Sequence, residues 1–142
     1  MRRLVLLGFV VLATVLAPSA APADRGTVTV HGSRFGRILF DGRGVVLYAF
    51  TRDPRGRSVC TGACAAAWPP YTVAAPPRAG AGVTRSLVGT TRRVGGDLQV
   101  TYAGRPLYYY VGDRSPGQIL CQDVSEFGGL WLVARPNGTL VR

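Results

Sequence analysis

Leu47-Tyr48-Ala49-Phe50-Thr51-Arg52-Asp53 and Leu107-Tyr108-Tyr109-Tyr110-Val111-Gly112-Asp113 are two copies of one pattern, Leu-Tyr-x-aromatic-x-x-Asp, in identical phase. In the first copy Val46, Tyr48 and Phe50 fall on one face of a strand and Val45, Leu47 and Ala49 on the other, because successive strand side chains alternate. Both faces are apolar, which predicts a central strand covered on each side. Asp53-Pro54-Arg55-Gly56 then has Asp, Pro and Gly at the first, second and fourth positions of a type I turn. In the second copy Asp113 opens Asp113-Arg114-Ser115-Pro116-Gly117, where its carboxylate is expected to close an Asx turn. A structural role for Asp53 and Asp113 is therefore expected, with a catalytic or metal role as the alternative. Each copy is trailed by a Cys and a Trp, Cys60 and Trp68 after the first and Cys121 and Trp131 after the second.

Working outward, Thr27 to His31 reads as a first short strand. Phe35 to Phe40 and Val45 to Phe50 flank the turn formers Asp41-Gly42-Arg43-Gly44, which predicts a β-hairpin. The Ala run in Cys60 to Trp68 favours a short helical turn that Pro69-Pro70 stops. Ala74 to Gly82, rich in Ala, Pro and Gly, reads as a surface loop between two halves. Hairpins are expected around Val94-Gly95-Gly96-Asp97, at Tyr102-Ala103-Gly104-Arg105, and around Arg135-Pro136-Asn137-Gly138. About eight short strands at near-regular spacing argue a mainly β domain. The expected architecture is an antiparallel sandwich or barrel of two related halves, about 36–73 and 97–138, with one helical turn.

The N-terminus carries a different signal. Arg2-Arg3, the apolar run Leu4 to Ala17 and the small-residue site Ala21-Pro22-Ala23 have the layout of a secretory signal peptide. The apolar run is shorter than the roughly 20 residues of a spanning helix. The expectation is a signal peptide over 1–23 and a single secreted β-domain over 24–142. The mature chain is expected to lack a transmembrane segment and to be secreted, periplasmic or in the cell envelope. No Cys stands near the cleavage site, so there is no lipobox cysteine to acylate.

The sequence has 17 arginines and no lysine against 7 acidic residues, for a formal charge of +10. A basic domain of this kind is drawn to polyanions, and anionic envelope components are the expected partners. The arginines form no run longer than Arg92-Arg93, and nucleic acid is not expected. Solvated arginines on an ordinary surface are the plainer reading of the same composition.

Export makes a disulfide the default for the three cysteines, with one left over. Cys60 and Cys64 are the favoured bridge and Cys121 the free thiol. A bridge from Cys60 or Cys64 to Cys121, joining the two halves, is the competitor. His31, Cys60, Cys64 and Cys121 would make a soft four-ligand set for Zn or Cu(I), although their spacing matches no zinc pattern. No cofactor is implied. Tyr102, Tyr108, Tyr109 and Tyr110 crowd one hairpin. Trp68, Tyr102, Tyr109 and Trp131 are a candidate ligand surface, and core packing is the competing reading. Enzyme templates find little support: a single His, no nucleophile elbow, and no Lys for a phosphate loop. Asp123 and Glu126 are expected to be solvated.

The combination of Gly44 to Asp53, Cys60-Thr61-Gly62-Ala63-Cys64 running into Trp68-Pro69-Pro70, Thr101 to Tyr108, and Gly128-Gly129-Leu130-Trp131 resembles the bacterial secreted-repeat family. Those are predicted lipoproteins with a Tyr-x-(Phe/Trp/Tyr)-x-x-Asp motif, here Tyr48, Phe50 and Asp53, then Tyr108, Tyr110 and Asp113. The resemblance covers about Gly36 to Gly138. It implies export and no known activity, and it supplies no catalytic residues. Many members carry a lipobox Cys, and this chain departs from them there. The expectation from residues and resemblance together is an exported, non-enzymatic binding or structural module. A redox or metal-handling protein using Cys60, Cys64 and Cys121 is the alternative.

Overall fold

The structure, a computed structural model, describes residues 26–142. The expected signal peptide over 1–23 lies outside the described residues. In chain order these hold β1 (Thr27–Ser33), β2 (Gly36–Asp41), β3 (Tyr48–Phe50), α1 (Ala63–Ala67), β4 (Thr72–Val73), β5 (Arg78–Ala79), β6 (Val88–Arg92), β7 (Leu98–Tyr102), β8 (Arg105–Tyr108), β9 (Val124–Glu126) and β10 (Gly129–Val133), with a 3-10 turn at Arg85–Leu87. The fold is mainly β, as expected. One sheet has three strands, in the order β2-β1-β5. The other has seven, in the order β4-β7-β8-β3-β10-β9 with β6 pairing β7 along its whole length, and the described strands do not close into a barrel.

The hairpin expected between Phe35–Phe40 and Val45–Phe50 needs correction. The Asp41 turn forms: the Asp41 carboxylate accepts from the Arg43 and Val45 amides at 2.9 Å each. Pairing then lasts only through the Leu47 amide on the Leu39 carbonyl at 3.1 Å and a bridge of Phe40 with Val46. Beyond it the chain leaves for the other sheet, where β3 runs between β8 and β10. The reason is competition for partners. β2 has a six-position antiparallel ladder with β1, and β3 pairs on both edges, over three positions with β10 and two with its counterpart β8. The segment read as a plain loop, Ala74 to Gly82, also contributes an edge strand, β5, parallel to β1.

The remaining turns follow the sequence chemistry. The Val94-Gly95-Gly96-Asp97 hairpin joins β6 to β7, closed by the Arg93 amide on the Asp97 carbonyl at 2.9 Å. Ala103 and Gly104, with φ of 49° and 75°, make the two-residue turn into β8; two left-handed residues are the type I′ pattern that suits a twisted hairpin. The last turn closes through Gly138 on Arg135, 2.9 Å, and Ala134 bridges Leu140.

The central strand has the two apolar faces that its sequence requires. Val46, Tyr48 and Phe50 join one core cluster with Ile38, Trp68, Tyr108, Ile119, Trp131 and Val133. Leu47 joins the other, with Val28, Val30, Leu39, Tyr71, Val100, Tyr102 and Leu107. Both clusters join residues of the two sheets, with Ile38 and Phe40 of β2 in the first and Val28, Val30 and Leu39 in the second. The first is roofed by the segments that follow each motif, which supply Cys60, Cys64 and Trp68 from one repeat and Ile119 from the other. Leu47, fully buried, is therefore a sensitive position: Leu47→Ala is expected to cost about 2–5 kcal/mol, read as a lowered urea midpoint with unchanged m.

Candidate functional site

The motif residues meet at the contact between β3 and β8, where Tyr48 lies directly opposite Tyr108. Each tyrosine reaches across to the aspartate of the other copy. Tyr48 Oη donates to Asp113 Oδ2 at 2.6 Å, and Tyr108 Oη donates to Asp53 Oδ2 at 2.5 Å. The second oxygen of each carboxylate accepts a backbone amide from its own loop. Val59 N lies 2.7 Å from Asp53 Oδ1, and Leu120 N lies 3.0 Å from Asp113 Oδ1. The expected Asp53 type I turn and Asp113 Asx turn are thus replaced by a wider closure, because each carboxylate gathers six or seven following residues into a loop held by the opposite repeat.

The crossing extends to the arginines of the first hairpin turn in each half. Arg93 donates to Ser58 Oγ at 2.7 Å, Gln99 Oε1 at 2.8 Å and the Cys60 carbonyl at 2.8 Å. Ser58 Oγ in turn shares a 2.7 Å hydrogen bond with Tyr108 Oη. On the other side Arg34 Nη2 donates to the Ile119 carbonyl at 2.6 Å. Neither arginine, nor Ser58 nor Gln99, was picked out from the sequence. Aligning the two halves on their motifs puts Arg34 and Arg93 in matching hairpin turns, a signal that was available.

The aromatic residues repeat the symmetry. Trp68 and Trp131 stack at 4.0 Å between centroids and 4° between planes. Phe50 continues the stack on Trp131 at 4.3 Å, and Tyr110 leans on Trp68 at 4.8 Å. Tyr48 meets Trp68 edge-on at 5.2 Å, as Tyr108 meets Trp131 at 5.1 Å, the offset and edge geometries that ring quadrupoles favour. Trp68 Nε1 donates to Glu126 Oε2 at 2.7 Å, and Trp131 Nε1 to the Glu126 carbonyl at 3.3 Å. Glu126, exposed as expected of a solvated carboxylate, nevertheless caps both indoles, Trp68 through a carboxylate oxygen and Trp131 through its backbone carbonyl.

Trp68, Tyr102, Tyr109 and Trp131 make up the expected ligand surface. Trp68, Trp131 and Tyr102 are buried, and Tyr102 Oη bonds the Pro136 carbonyl and the Thr84 amide. Tyr109 is half-buried, donating to Asp41 Oδ2 at 3.0 Å. Trp68, Tyr102 and Trp131 are core, and the ligand-surface reading of these three is corrected, while Tyr109 packs partly buried against the second core cluster. Their indoles and hydroxyls find internal partners, so the hydrophobic area of each ring is available to packing alone.

Cys60 and Cys64 form a disulfide, with Cα atoms 5.3 Å apart, and Cys121 is a free, half-buried thiol. The bridge to Cys121 and the four-ligand metal set are corrected together, because both need a thiol that the Cys60–Cys64 bond has taken. His31 is exposed, 3.1 Å from Thr29 Oγ1 and edge-on to Phe40. No cluster of three or more His, Cys, Asp or Glu side chains suited to a metal occurs among the described residues. By loop-closure entropy so short a bridge is worth about 2 kcal/mol, and it fixes the start of α1. Burial pushes the Cys121 thiol up, against a hydrogen bond with Tyr110. Intact-mass analysis of folded protein alkylated without reductant should therefore give one adduct, formed slowly near neutral pH and faster as pH rises.

Burial raises the carboxyls of Asp53 and Asp113, opposed by the bonds from Tyr108 and Val59 and from Tyr48 and Leu120 respectively. Burial, reinforced by the paired aspartate, also pushes the Tyr48 and Tyr108 hydroxyls well above their ordinary range. Both tyrosines therefore remain donors at any physiological pH. A carboxyl raised in the folded state binds its proton more tightly there. Its contribution to stability is full below the unfolded value of about 3.9 and is lost as pH rises through the folded value. The urea midpoint of the wild type relative to the Asp53→Asn, Asp113→Asn double variant should accordingly be highest at about pH 3 and decline as pH climbs past the ordinary carboxylate range. A second test addresses the crossing itself. Double-mutant cycles are expected to give about 0.5–3 kcal/mol of coupling for Tyr48→Phe with Asp113→Asn and for Tyr108→Phe with Asp53→Asn, against no more than about 0.5 kcal/mol for Tyr48 with Asp53.

Neither a curated protein nor a solved structure matches the chain. Among the described residues no helix is long and apolar enough to cross a membrane. A family described as "secreted repeat of unknown function" matches twice, over residues 29–72 and 89–135. Those two stretches contain the crossed tyrosines and aspartates, except that Asp53 and Asp113 each lie in the repeat opposite their tyrosine. Matched over more than half of its length by two copies of that repeat, the chain belongs to the secreted-repeat family.

Proposed function

We propose that the protein is an exported, non-enzymatic module of the cell envelope or exterior, directed there by the signal peptide, that binds anionic envelope components. The observation that carries this reading is where the charges go. Asp41 is held by Arg43 and Tyr109, Asp53 by Tyr108, Asp113 by Tyr48, and Glu126 by Trp68. Asp41 and Asp113 are buried in the framework and Asp53 is partly buried, while Glu126 is exposed. Most of the arginines stand at the surface, and the ion pair between described residues is Arg43 with Asp41, 2.8 Å. The exposed surface therefore carries more arginine than carboxylate, and such a positive field concentrates polyanions at the surface.

The motif geometry supports the non-enzymatic part. A catalytic acid or base must reach a substrate atom, whereas the motif hydroxyls and carboxylates face one another inside a packed core. The exported protein should be retained on its own envelope fraction at about 0.15 M salt and released at about 1 M, where the screening length falls to about 3 Å. Equal retention at both salts, or none at either, would contradict the reading.

A further inference from the structure

The crossed pairs hold more polar chemistry than packing needs. Tyr48 and Tyr108 are fully buried, and a phenylalanine at either place would supply the ring without drawing a carboxylate out of water, which costs free energy. Instead each hydroxyl makes a short bond to one, 2.6 Å from Tyr48 Oη to Asp113 Oδ2 and 2.5 Å from Tyr108 Oη to Asp53 Oδ2. Those lengths are in the range of charge-assisted bonds between a hydroxyl and a carboxylate. Burial raises both carboxyls, so each aspartate is an apt acceptor for the proton it already touches. A second donor faces each phenol oxygen: the Cys121 amide, 3.4 Å from Tyr48 Oη, and Ser58 Oγ, 2.7 Å from Tyr108 Oη.

The rings connect these two pairs to one another and to the surface. Tyr48 meets Trp68 at 5.2 Å, Trp68 stacks on Trp131 at 4.0 Å, and Trp131 meets Tyr108 at 5.1 Å between centroids. Rings in contact exchange an electron far faster than radicals on separate molecules meet. Tyr110, half-buried, leans on Trp68 at 4.8 Å, which gives an oxidant that stays outside the core a ring to act through. Trp68 Nε1 donates to Glu126 Oε2 at 2.7 Å, and that exposed carboxylate can hold the indole proton while an electron is missing.

We propose that this array is a one-electron relay that stores an oxidising equivalent as a tyrosyl radical on Tyr48 or Tyr108, with the phenolic proton kept on the paired aspartate. A high-potential one-electron oxidant outside the protein takes an electron from Trp68, whose indole proton passes to Glu126. An electron from Tyr48 then refills the indole, Glu126 returns its proton, and the Tyr48 proton crosses to Asp113. Oxidant, phenol and carboxylate thus become reduced oxidant, phenoxyl radical and carboxylic acid, with no proton gained or lost. The same step through Trp131 leaves the radical on Tyr108 and the proton on Asp53. Because the proton stays in its hydrogen bond, the return of one electron restores the starting state. Because both rings are sealed from solvent, the radical does not couple to a second molecule. This activity goes beyond the anionic-partner reading and does not depend on it.

The chain has two tryptophans, so a tryptophanyl transient reports this stack and nothing else. The probe is the azide radical, generated by pulse radiolysis of the exported protein with Cys121 alkylated, so that its thiol does not reduce the radical. Tryptophanyl absorbance is expected to decay into tyrosyl absorbance at a rate independent of protein concentration, and more slowly in heavy water because a proton moves with the electron. The Tyr48→Phe, Tyr108→Phe double variant should keep the tryptophanyl radical and lose most of the tyrosyl yield. The Asp53→Asn, Asp113→Asn double variant keeps both phenols without their proton acceptors, and its transfer should be slower. Tyr71→Phe, which alters a ring of the other core cluster, should change nothing, and near-UV circular dichroism verifies that each variant is folded. A rate that scales with protein concentration, or a wild type with no isotope effect, overturns the proposal without any variant. So does an unchanged tyrosyl yield in the folded Tyr48→Phe, Tyr108→Phe protein. Loss of the whole yield in Tyr110→Phe alone also overturns it, because the radical then stops at the surface ring.

Discussion

The crossed hydrogen bonds between Tyr48 and Asp113 and between Tyr108 and Asp53 constrain the rest of this molecule. They lie where β3 meets β8, at the middle of the larger sheet, and each one ties a strand of one repeat to the loop of the other. A carboxylate in such a place is tolerable only when its oxygens are satisfied, and here each Asp accepts one tyrosine hydroxyl and one amide. The loop that carries the amide is thereby fixed, and with it the Cys and the Trp that follow. Loop position, ring stacking and the roof of one core all descend from two hydrogen bonds.

The stack built on this frame explains the spacing of the motif. Tyr48 and Phe50 share a face, so the strand presents one ring edge-on to Trp68 and the next flat on Trp131. With the two tryptophans exchanged, Tyr108 meets Trp131 edge-on and Tyr110 leans on Trp68 at 40°. The motif aromatics are two residues apart because the strand period is two. Two indoles face to face leave two N–H groups to satisfy, and Glu126 at the end of β9 supplies both acceptors.

Much of the architecture was legible in the sequence. The two-faced apolar strand, the glycine turns, the helical turn stopped by Pro69-Pro70 and the Cys60–Cys64 bridge all rest on local chemistry, and local chemistry is what a single sequence records. The partner of β3 was not legible, because Asp41-Gly42-Arg43-Gly44 is a sound hairpin turn and only the better ladder elsewhere draws the strand away. The motif aspartates were read as turn formers for the same reason: Asp53-Pro54-Arg55-Gly56 satisfies a local rule, while the tyrosine that claims the carboxylate lies 55 residues away. Trp68 and Trp131 were balanced between surface and core until their partners in the other repeat were known.

The exchange of partners between repeats also bears on how this sequence can change over generations. Within one repeat, tyrosine and aspartate do not touch, so neither keeps the other in place. A substitution at Tyr48 is felt at Asp113, in the other copy, and a substitution at Tyr108 is felt at Asp53. The two copies therefore cannot diverge independently at these positions, as duplicated segments ordinarily do. Each repeat is the selective environment of its twin, and the motif stays legible in both halves while the turns and linkers around it are free to drift.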